Sequence, residues 1–149
     1  MKQIDGDLWK LYQQRKWICI PTNGSLKDQN TKAVMGKGLA LAAAERFPTL
    51  PLLLASRIKR SGTRVEIFVQ LGLFAFPTKD EWFNPSKILL ILTSARELIE
   101  IVNHHGIKEV YLPRVGCGAG GLRWAWVSPE LGKVLDDRFT IVHNHEDVS

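Results

Sequence analysis

Short runs of apolar residues, rich in β-branched and aromatic side chains, alternate along this chain with longer segments that favour helix. Runs with the length of a buried strand occur at residues 17–20, 65–69, 73–76, 109–113 and 139–142. Helix-length segments separate several of these runs and are long enough to connect parallel strands. We therefore predict an α/β fold, a three-layer α/β/α sandwich around a mixed, mostly parallel sheet, with residues 73–113 as its clearest βαβ unit.

The helices are predicted from composition and from the residues that begin or end a helix. Residues 39–47 are rich in alanine and leucine and stop before a proline, and residues 51–60 end before a glycine. The longest helix opens at Pro85, keeps apolar residues three or four positions apart, and ends at Gly106. Ser128, which a proline follows, is predicted to begin a further helix.

Length and composition fit one domain, which we predict to span residues 1–149. The polar, turn-rich stretch 22–31 is predicted to be a loop. The longest apolar run, residues 88–92, is about a quarter of a membrane span, and the N-terminus lacks the apolar core of a secretory signal. Two cysteines cannot form a disulfide framework. We expect a monomeric cytoplasmic protein with no membrane anchor.

Positive charge is concentrated in the first half of the chain. Residues 1–79 contain 13 Lys and Arg against 5 Asp and Glu (+8), whereas residues 80–149 contain 7 against 10 (−3), which together give +5. A basic half favours a polyanionic partner, such as nucleic acid or a phosphorylated nucleotide. The alternative is an ordinary solvated surface, since no basic run reaches about five residues.

Three candidate ligand-binding groups directly follow predicted strands. Asn23 follows the first of these strands, Lys79 follows residues 73–76, and the run 116–121 follows residues 109–113. In open α/β sheets, ligands bind beyond the carboxyl ends of the strands. If the three strands are parallel, these groups lie along one rim of the sheet.

Two glycine-containing segments have the composition of anion sites. Four of the six residues in 116–121 are glycine, so their N–H groups can turn inward toward a diphosphate. The pair Gly36 and Gly38, with Lys37 between them, opens a predicted helix, whose N-terminus attracts anions. The alternatives are a flexible surface turn for the first segment and a simple loop-to-helix turn for the second.

Lys79 is a candidate nucleophile. A lysine between a packed strand and an aromatic residue can be partly desolvated, which favours the neutral, nucleophilic amine. Asp80 and Glu81 act in the opposite direction, because nearby carboxylates favour the ammonium ion. An ordinary surface lysine is the alternative.

Other reactive residues lack the partners that catalysis or metal binding needs. Cys117 has no histidine partner evident in the sequence, and the four histidines lack the spacing of a zinc site. We therefore predict neither a metal nor a cofactor. Trp124 and Trp126 could stack on a base, although core packing suits them equally well.

Four segments match one family in the same order. They are residues 6–9, 35–40, 76–79 and 112–124. The sequence resembles a macrodomain, especially the branch that contains the terminal ADP-ribose protein glycohydrolase and the bacterial DNA ADP-ribosyl glycohydrolase antitoxin. The resemblance covers nearly the whole chain.

The resemblance implies an ADP-ribose pocket. Asp7 would accept a hydrogen bond from the adenine amino group beside the Leu8 backbone, and Asn23 would contact the distal ribose. Residues 35–38 would flank that ribose and its phosphate, and the glycine run would hold the diphosphate. The implied ligand-binding residues are Asp7, Leu8, Asn23, Met35, Gly36, Lys37, Gly38, Val115, Gly116, Cys117, Gly118, Ala119, Gly120, Gly121 and Leu122.

The resemblance also makes Lys79 the catalytic residue, engaging the anomeric carbon of the distal ribose or stabilising its opened form. The protein glycohydrolase has a catalytic Asp where this chain has Gly120, and the DNA-directed relatives have glycine there. We therefore expect a hydrolase that removes ADP-ribose from a modified macromolecule, a DNA base rather than a protein, with single-stranded DNA as partner. Whether Asp80 or Glu81 acts as acid or base stays open, and the loop 25–32 could shape substrate choice.

Two other function classes remain. A non-catalytic module that reads or sequesters ADP-ribose or a related nucleotide would keep the glycine run and Asp7 but would need nothing from Lys79. A plain nucleic-acid binder would be indifferent to ADP-ribose and steeply dependent on salt.

Overall fold

The computed structural model describes residues 1–145. Its strands are β1 (Lys2–Asp5), β2 (Trp17–Asn23), β3 (Leu26–Lys27), β4 (Lys32–Ala33), β5 (Glu66–Phe68), β6 (Leu73–Lys79), β7 (Val110–Leu112) and β8 (Phe139–His143). Its helices are α1 (Leu8–Gln13), α2 (Gly38–Arg46), α3 (Leu50–Ser61), α4 (Ile88–His105) and α5 (Trp124–Gly132), and a 3-10 turn spans Gly118–Gly120. The last four residues of the predicted domain, 146–149, lie outside the described residues.

Six strands form the central sheet in the order β1-β8-β7-β2-β6-β5. Neighbouring strands are parallel except β5 and β6, which are antiparallel. β3 and β4 pair as a separate antiparallel hairpin. The central sheet is therefore mixed and mostly parallel, as predicted from the sequence.

Alternate residues of the central strands face two separate apolar cores. In β2, Cys19 lies in a cluster with buried residues of α4 and α5. Its neighbours Ile18 and Ile20 lie in a second cluster with buried residues of α2 and α3. Successive side chains of a strand point to opposite faces, so helices cover both faces of the sheet. The three-layer α/β/α sandwich is thereby confirmed.

Several sequence-based expectations about elements were wrong. The stretch 22–31 is not all loop, because β2 continues to Asn23 and the hairpin strand β3 lies within it. The helix expected from Ser128 begins four residues earlier, at Trp124, and contains Pro129. A proline there removes one backbone hydrogen bond, and burial of Val127 and Leu131 anchors the helix on both sides of it.

The predicted βαβ unit over residues 73–113 is also different in detail. β6, α4 and β7 are present, but β7 pairs with β2 and not with β6. The crossover therefore passes over β2, which lies between the two strands. This order puts the carboxyl ends of β6, β2 and β7 side by side.

Within residues 1–145 no single helix is long and apolar enough to cross a membrane; α2 and α3 reach that length only together, across a bend of 113°.

Candidate functional site

A cavity of about 350 Å³ opens at the carboxyl ends of β2, β6 and β7. Asn23, Lys79 and the glycine run after β7 all contribute to its walls. The expectation that these three groups lie along one rim is confirmed, because the three strands are parallel neighbours. The lining residues are Pro21, Thr22, Asn23, Val34, Gly36, Lys37, Gly38, Leu39, Ala40, Thr78, Lys79, Trp82, Ser86, Pro113, Arg114, Gly116, Cys117, Ala119 and Gly120.

The cavity is electropositive. Lys37, Lys79 and Arg114 line it, and none of its described lining residues is an aspartate or a glutamate. The Nε atom of Arg114 is buried and has no hydrogen-bond partner among the described residues. A buried donor without a partner is costly. The Arg114 guanidinium lies 5.6 Å from the centre of the Trp124 ring, and Trp124 is not among the cavity-lining residues.

The glycine run folds into a compact turn. Gly116, Gly118 and Gly121 have φ angles of 80°, 72° and 83°, which L-residues with a side chain rarely adopt. The Leu122 N–H donates to the Gly116 carbonyl at 3.0 Å and closes the turn. Gly116, Cys117, Ala119 and Gly120 line the cavity, whereas Gly118, Gly121 and Leu122 are not among the lining residues.

Gly120 is buried against Ser86, a residue that the sequence did not indicate. The Ser86 N–H donates to the Gly120 carbonyl at 3.0 Å, and a Cβ atom on residue 120 would collide with the Ser86 hydroxyl. The Ser86 Oγ atom is itself buried without a hydrogen-bond partner in the described residues. Ser86 lies seven residues after Lys79, in a segment without a recognisable motif. Its place at the site is evident only from its contact with Gly120 in the structure.

Lys79 ends β6 and is partly buried in the cavity wall. Its Nζ atom donates to the Trp82 carbonyl at 3.4 Å. The two carboxylates that follow are engaged elsewhere: Asp80 pairs with Lys87, and Glu81 accepts a hydrogen bond from the Ser25 hydroxyl. Neither lines the cavity, and none of the described residues that line it with Lys79 carries a carboxylate.

Asn23 ties the end of β2 to the chain that follows it. Its Nδ2 atom donates to the Val34 carbonyl at 3.1 Å, and its Oδ1 atom accepts from the Ser25 N–H at 2.9 Å. The side chain lines the cavity while these bonds fix its orientation. Asn23 therefore presents a rigid polar group next to Lys79, with which it is paired in the sheet.

The second glycine segment also reaches the cavity. Gly36, Lys37 and Gly38 line it at the N-terminus of α2, where no side chain caps the helix. Gly38 has a φ of 55°, which favours glycine at this position. Met35 differs from its neighbours, because its side chain is buried in the apolar core between the sheet and α2.

Three residues implied by the family resemblance have structural roles away from the cavity. The Asp7 carboxylate caps α1, accepting from the Trp9 and Lys10 N–H groups at 2.8 and 3.4 Å. Leu8 and Val115 are buried in the two apolar cores. None of the three is among the cavity-lining residues, so their contacts with ADP-ribose stay predictions.

Cys117 has the environment of an unreactive thiol. Burial raises the pKa of the Cys117 thiol, although nearby Arg114 partly opposes the shift. The thiol is thus protonated at neutral pH, and the protonated form is a poor nucleophile. Among the described residues, no group of three or more His, Cys, Asp or Glu side chains could hold a metal ion.

The tryptophans of α5 lie outside the cavity. Trp124 packs partly on the apolar core, and its indole N–H donates to the side chain of Gln3 at 3.0 Å. Trp126 is 70 % exposed, and the Arg123 guanidinium lies 5.4 Å from the centre of its ring. Trp82, the aromatic residue after Lys79 in the sequence, lines the cavity, whereas Trp124 and Trp126 do not.

Comparison with known proteins relates this chain to one group. No protein-family model matches the sequence. A DNA ADP-ribosyl transferase-DNA ADP-ribosyl glycohydrolase fusion protein of Thermosipho africanus is 30 % identical over 156 residues, covering 89 % of this chain and 38 % of that protein. The chain thus spans little more than a third of the length of the curated relatives it matches.

Solved structures agree with this relationship. The macrodomain of Mycobacterium tuberculosis DarG superposes with a TM-score of 0.77 at 27 % identity, covering 95 % of both chains. Thermosipho africanus DarTG, solved in complex with ADP-ribose, superposes with a TM-score of 0.76 at 25 % identity, covering 97 % of this chain and 42 % of that one. The chain therefore has the macrodomain fold and is related in sequence to the DNA ADP-ribosyl glycohydrolases.

Proposed function

We propose that this macrodomain binds ADP-ribose in the cavity and removes it from a modified macromolecule, a DNA base rather than a protein. One observation carries the proposal: Lys37, Lys79 and Arg114 line a cavity whose described lining includes no carboxylate. The names of the relatives, DNA ADP-ribosyl glycohydrolase, and the ADP-ribose complex of Thermosipho africanus DarTG support it.

The diphosphate would bind at the glycine turn. Backbone N–H groups of a glycine-rich turn and an uncapped helix N-terminus both favour anions, and residues of both line the cavity. Lys37 and Arg114 add full positive charges. The cavity volume of about 350 Å³ falls within the usual range for a small-molecule site.

Lys79 would act on the distal ribose, where the link to the base is broken. The neutral amine attacks the anomeric carbon, so that a C–Nζ bond forms as the bond from carbon to the base nitrogen breaks. The base leaves with the bonding electron pair and takes up the proton that the attacking amine loses. Water then adds to the same carbon and releases the amine, so the net products are ADP-ribose and the restored base.

The preference for DNA rests on Gly120 and on charge. The protein glycohydrolase that the sequence resembles uses an Asp at this position, and here the Ser86 hydroxyl occupies the space that such a side chain would need. Exposed Lys27 and Lys32 lie in the small β3–β4 hairpin and exposed Lys37 follows it, and these lysines favour a polyanionic substrate.

The experiment measures release of ADP-ribose from an ADP-ribosylated single-stranded oligonucleotide and from an ADP-ribosylated protein. Lys79→Ala should abolish release from the oligonucleotide while calorimetry still detects binding of free ADP-ribose. Lys87→Ala is the matched control, because Lys87 is a nearby lysine that pairs with Asp80 outside the cavity. Equal release by wild type and Lys79→Ala would remove Lys79 from the mechanism.

A module that binds ADP-ribose without cleaving it is the second candidate. One observation favours it: the described residues that line the cavity include no carboxylate that could activate water, and Asp80 and Glu81 are both engaged elsewhere. Tight binding of ADP-ribose without turnover of either substrate would establish this second function.

A further inference from the structure

Trp82 and Phe83 form an exposed aromatic pair at the mouth of the cavity. The side chains are 52 % and 66 % exposed, and their rings meet edge to face with centroids 5.6 Å apart. Large aromatic side chains are seldom left in water side by side unless they bind something. Trp82 lines the same cavity as Lys79.

The backbone of Trp82 is fixed although its ring is exposed. Its N–H donates to the Ser25 hydroxyl at 2.9 Å, and its carbonyl accepts from the Lys79 amine at 3.4 Å. Ser25 is buried, and its hydroxyl also bonds to Glu81. The backbone that carries the indole is therefore anchored to Ser25 and to the Lys79 amine, and Trp82 lines the same cavity as that amine.

The hairpin next to this pair is positively charged, whereas Asp80 and Glu81, which directly precede the pair, are engaged with Lys87 and Ser25. Ser25, which holds Trp82, leads directly into the β3–β4 hairpin, in which exposed Lys27 pairs with exposed Lys32 across the two strands. Asp28 is the single acidic residue of the segment 24–37, against Lys27, Lys32 and Lys37. An aromatic surface flanked by lysines is the combination that binds single-stranded nucleic acid, because bases stack while phosphates pair with the cations.

We propose that Trp82, supported by Phe83, stacks on the nucleobase that carries ADP-ribose and thereby favours base-linked over protein-linked substrates. The proposal rests on the function proposed above, because it assumes that the bond to be broken lies over Lys79. A base leaving the anomeric carbon at Lys79 would emerge against the indole. A leaving carboxylate of a protein has no ring to stack and would gain little from this surface.

The test compares wild type with Trp82→Ala, Trp82→Phe and Trp126→Ala. Two quantities are measured for each protein: the Kd for free ADP-ribose, and the KM and kcat on an ADP-ribosylated single-stranded oligonucleotide. Trp126 is the matched control because it is a more exposed tryptophan that does not line the cavity. An ADP-ribosylated protein serves as the second substrate.

Trp82→Ala should raise KM for the oligonucleotide about ten-fold or more, the usual effect of losing one base–aromatic stack. Its Kd for free ADP-ribose should rise by a smaller factor than the KM, because the indole lines the ADP-ribose cavity but the modified nucleobase is absent from that ligand. Trp82→Phe should recover most of the loss, and Trp126→Ala should behave as wild type.

Three results would overturn the stacking role: an unchanged KM in Trp82→Ala, an equal loss of affinity for free ADP-ribose, or an equal loss on the protein-linked substrate. A wild type that binds the modified oligonucleotide without cleaving it defeats the hydrolase proposal alone. In that case the Kd for the oligonucleotide replaces KM, and the same comparison of Trp82 variants decides the stacking role.

Discussion

The amide of Ser86 donates to the carbonyl of Gly120 at 3.0 Å, and the Ser86 side chain occupies the space that a Cβ atom on residue 120 would need. The backbone of the glycine turn is thus packed against the side chain of Ser86, in the segment before α4. Residue 120 carries an Asp in the protein glycohydrolase that the sequence resembles. In this chain, such a residue would have to displace Ser86.

The first prediction concerns this contact. Gly120→Asp should destabilise the protein by about 1–3 kcal/mol, because overpacking a buried contact costs that much, and it should also weaken ADP-ribose binding. Gly120→Asp combined with Ser86→Gly should recover part of both losses, since the colliding hydroxyl is gone. Thermal unfolding and calorimetry measure the two effects. A Gly120→Asp protein with wild-type stability would contradict the packing described here.

The rim of the cavity could be predicted from sequence because it depends on local features. Strands β2, β6 and β7 are short apolar runs, and the residues after parallel strands meet at one edge of a sheet. The segment 80–87 could not be placed in this way. Its course depends on contacts with Ser25 and Gly120, which are far away in the chain.

Two N-terminal elements, β1 and α1, are not predicted from the sequence, for different reasons. All four residues of β1 are exposed, so this edge strand has no apolar alternation and is defined by its pairing with β8. The start of α1 did carry a signal, since Asp7 is a favourable N-cap residue directly before apolar Leu8. The family resemblance implies an adenine contact for Asp7, and the structure shows in addition that Asp7 caps α1.

A second prediction separates these two roles of Asp7. Asp7→Ser should keep the stability of the protein, because serine also caps helices, but it should weaken ADP-ribose binding if the carboxylate contacts adenine. Asp7→Ala should in addition lose about 1 kcal/mol of stability. Urea unfolding and calorimetry are the measurements. Unchanged ADP-ribose affinity in Asp7→Ser would leave Asp7 with the capping role alone.

A third prediction follows from the environment of Cys117. Burial raises the pKa of its thiol, so the thiolate is scarce at neutral pH. Cys117→Ala should therefore keep turnover within about three-fold of wild type, since a protonated thiol contributes little as a nucleophile. Alkylation of Cys117 by iodoacetamide, followed by mass spectrometry, should be slower at pH 7 than alkylation of an exposed cysteine peptide. A loss of turnover in Cys117→Ala, with ADP-ribose binding intact, would give the thiol a catalytic role.

The last prediction concerns stability and pH. Asp136 accepts hydrogen bonds from the Nε and Nη2 atoms of Arg138 at 2.9 and 2.8 Å, and this pairing lowers the pKa of the Asp136 carboxyl. A carboxyl with a lower pKa in the folded state stabilises the protein above its unfolded pKa of about 4 and loses that contribution as the pH falls through the folded value.

Asp136→Asn should therefore be less stable than wild type at pH 7, and the difference should shrink as the pH falls below about 4. Because both side chains are partly exposed, with 51 % of the Asp136 side chain accessible, the difference at pH 7 should stay below about 1 kcal/mol. Asp28→Asn is the control, since Asp28 is exposed and lies 3.9 Å from its lysine partner. Urea unfolding at pH 7 and at pH 3 gives the loss in free energy of unfolding for each variant. A loss of the same size at the two pH values in Asp136→Asn would show that the carboxylate charge is not the source of the effect.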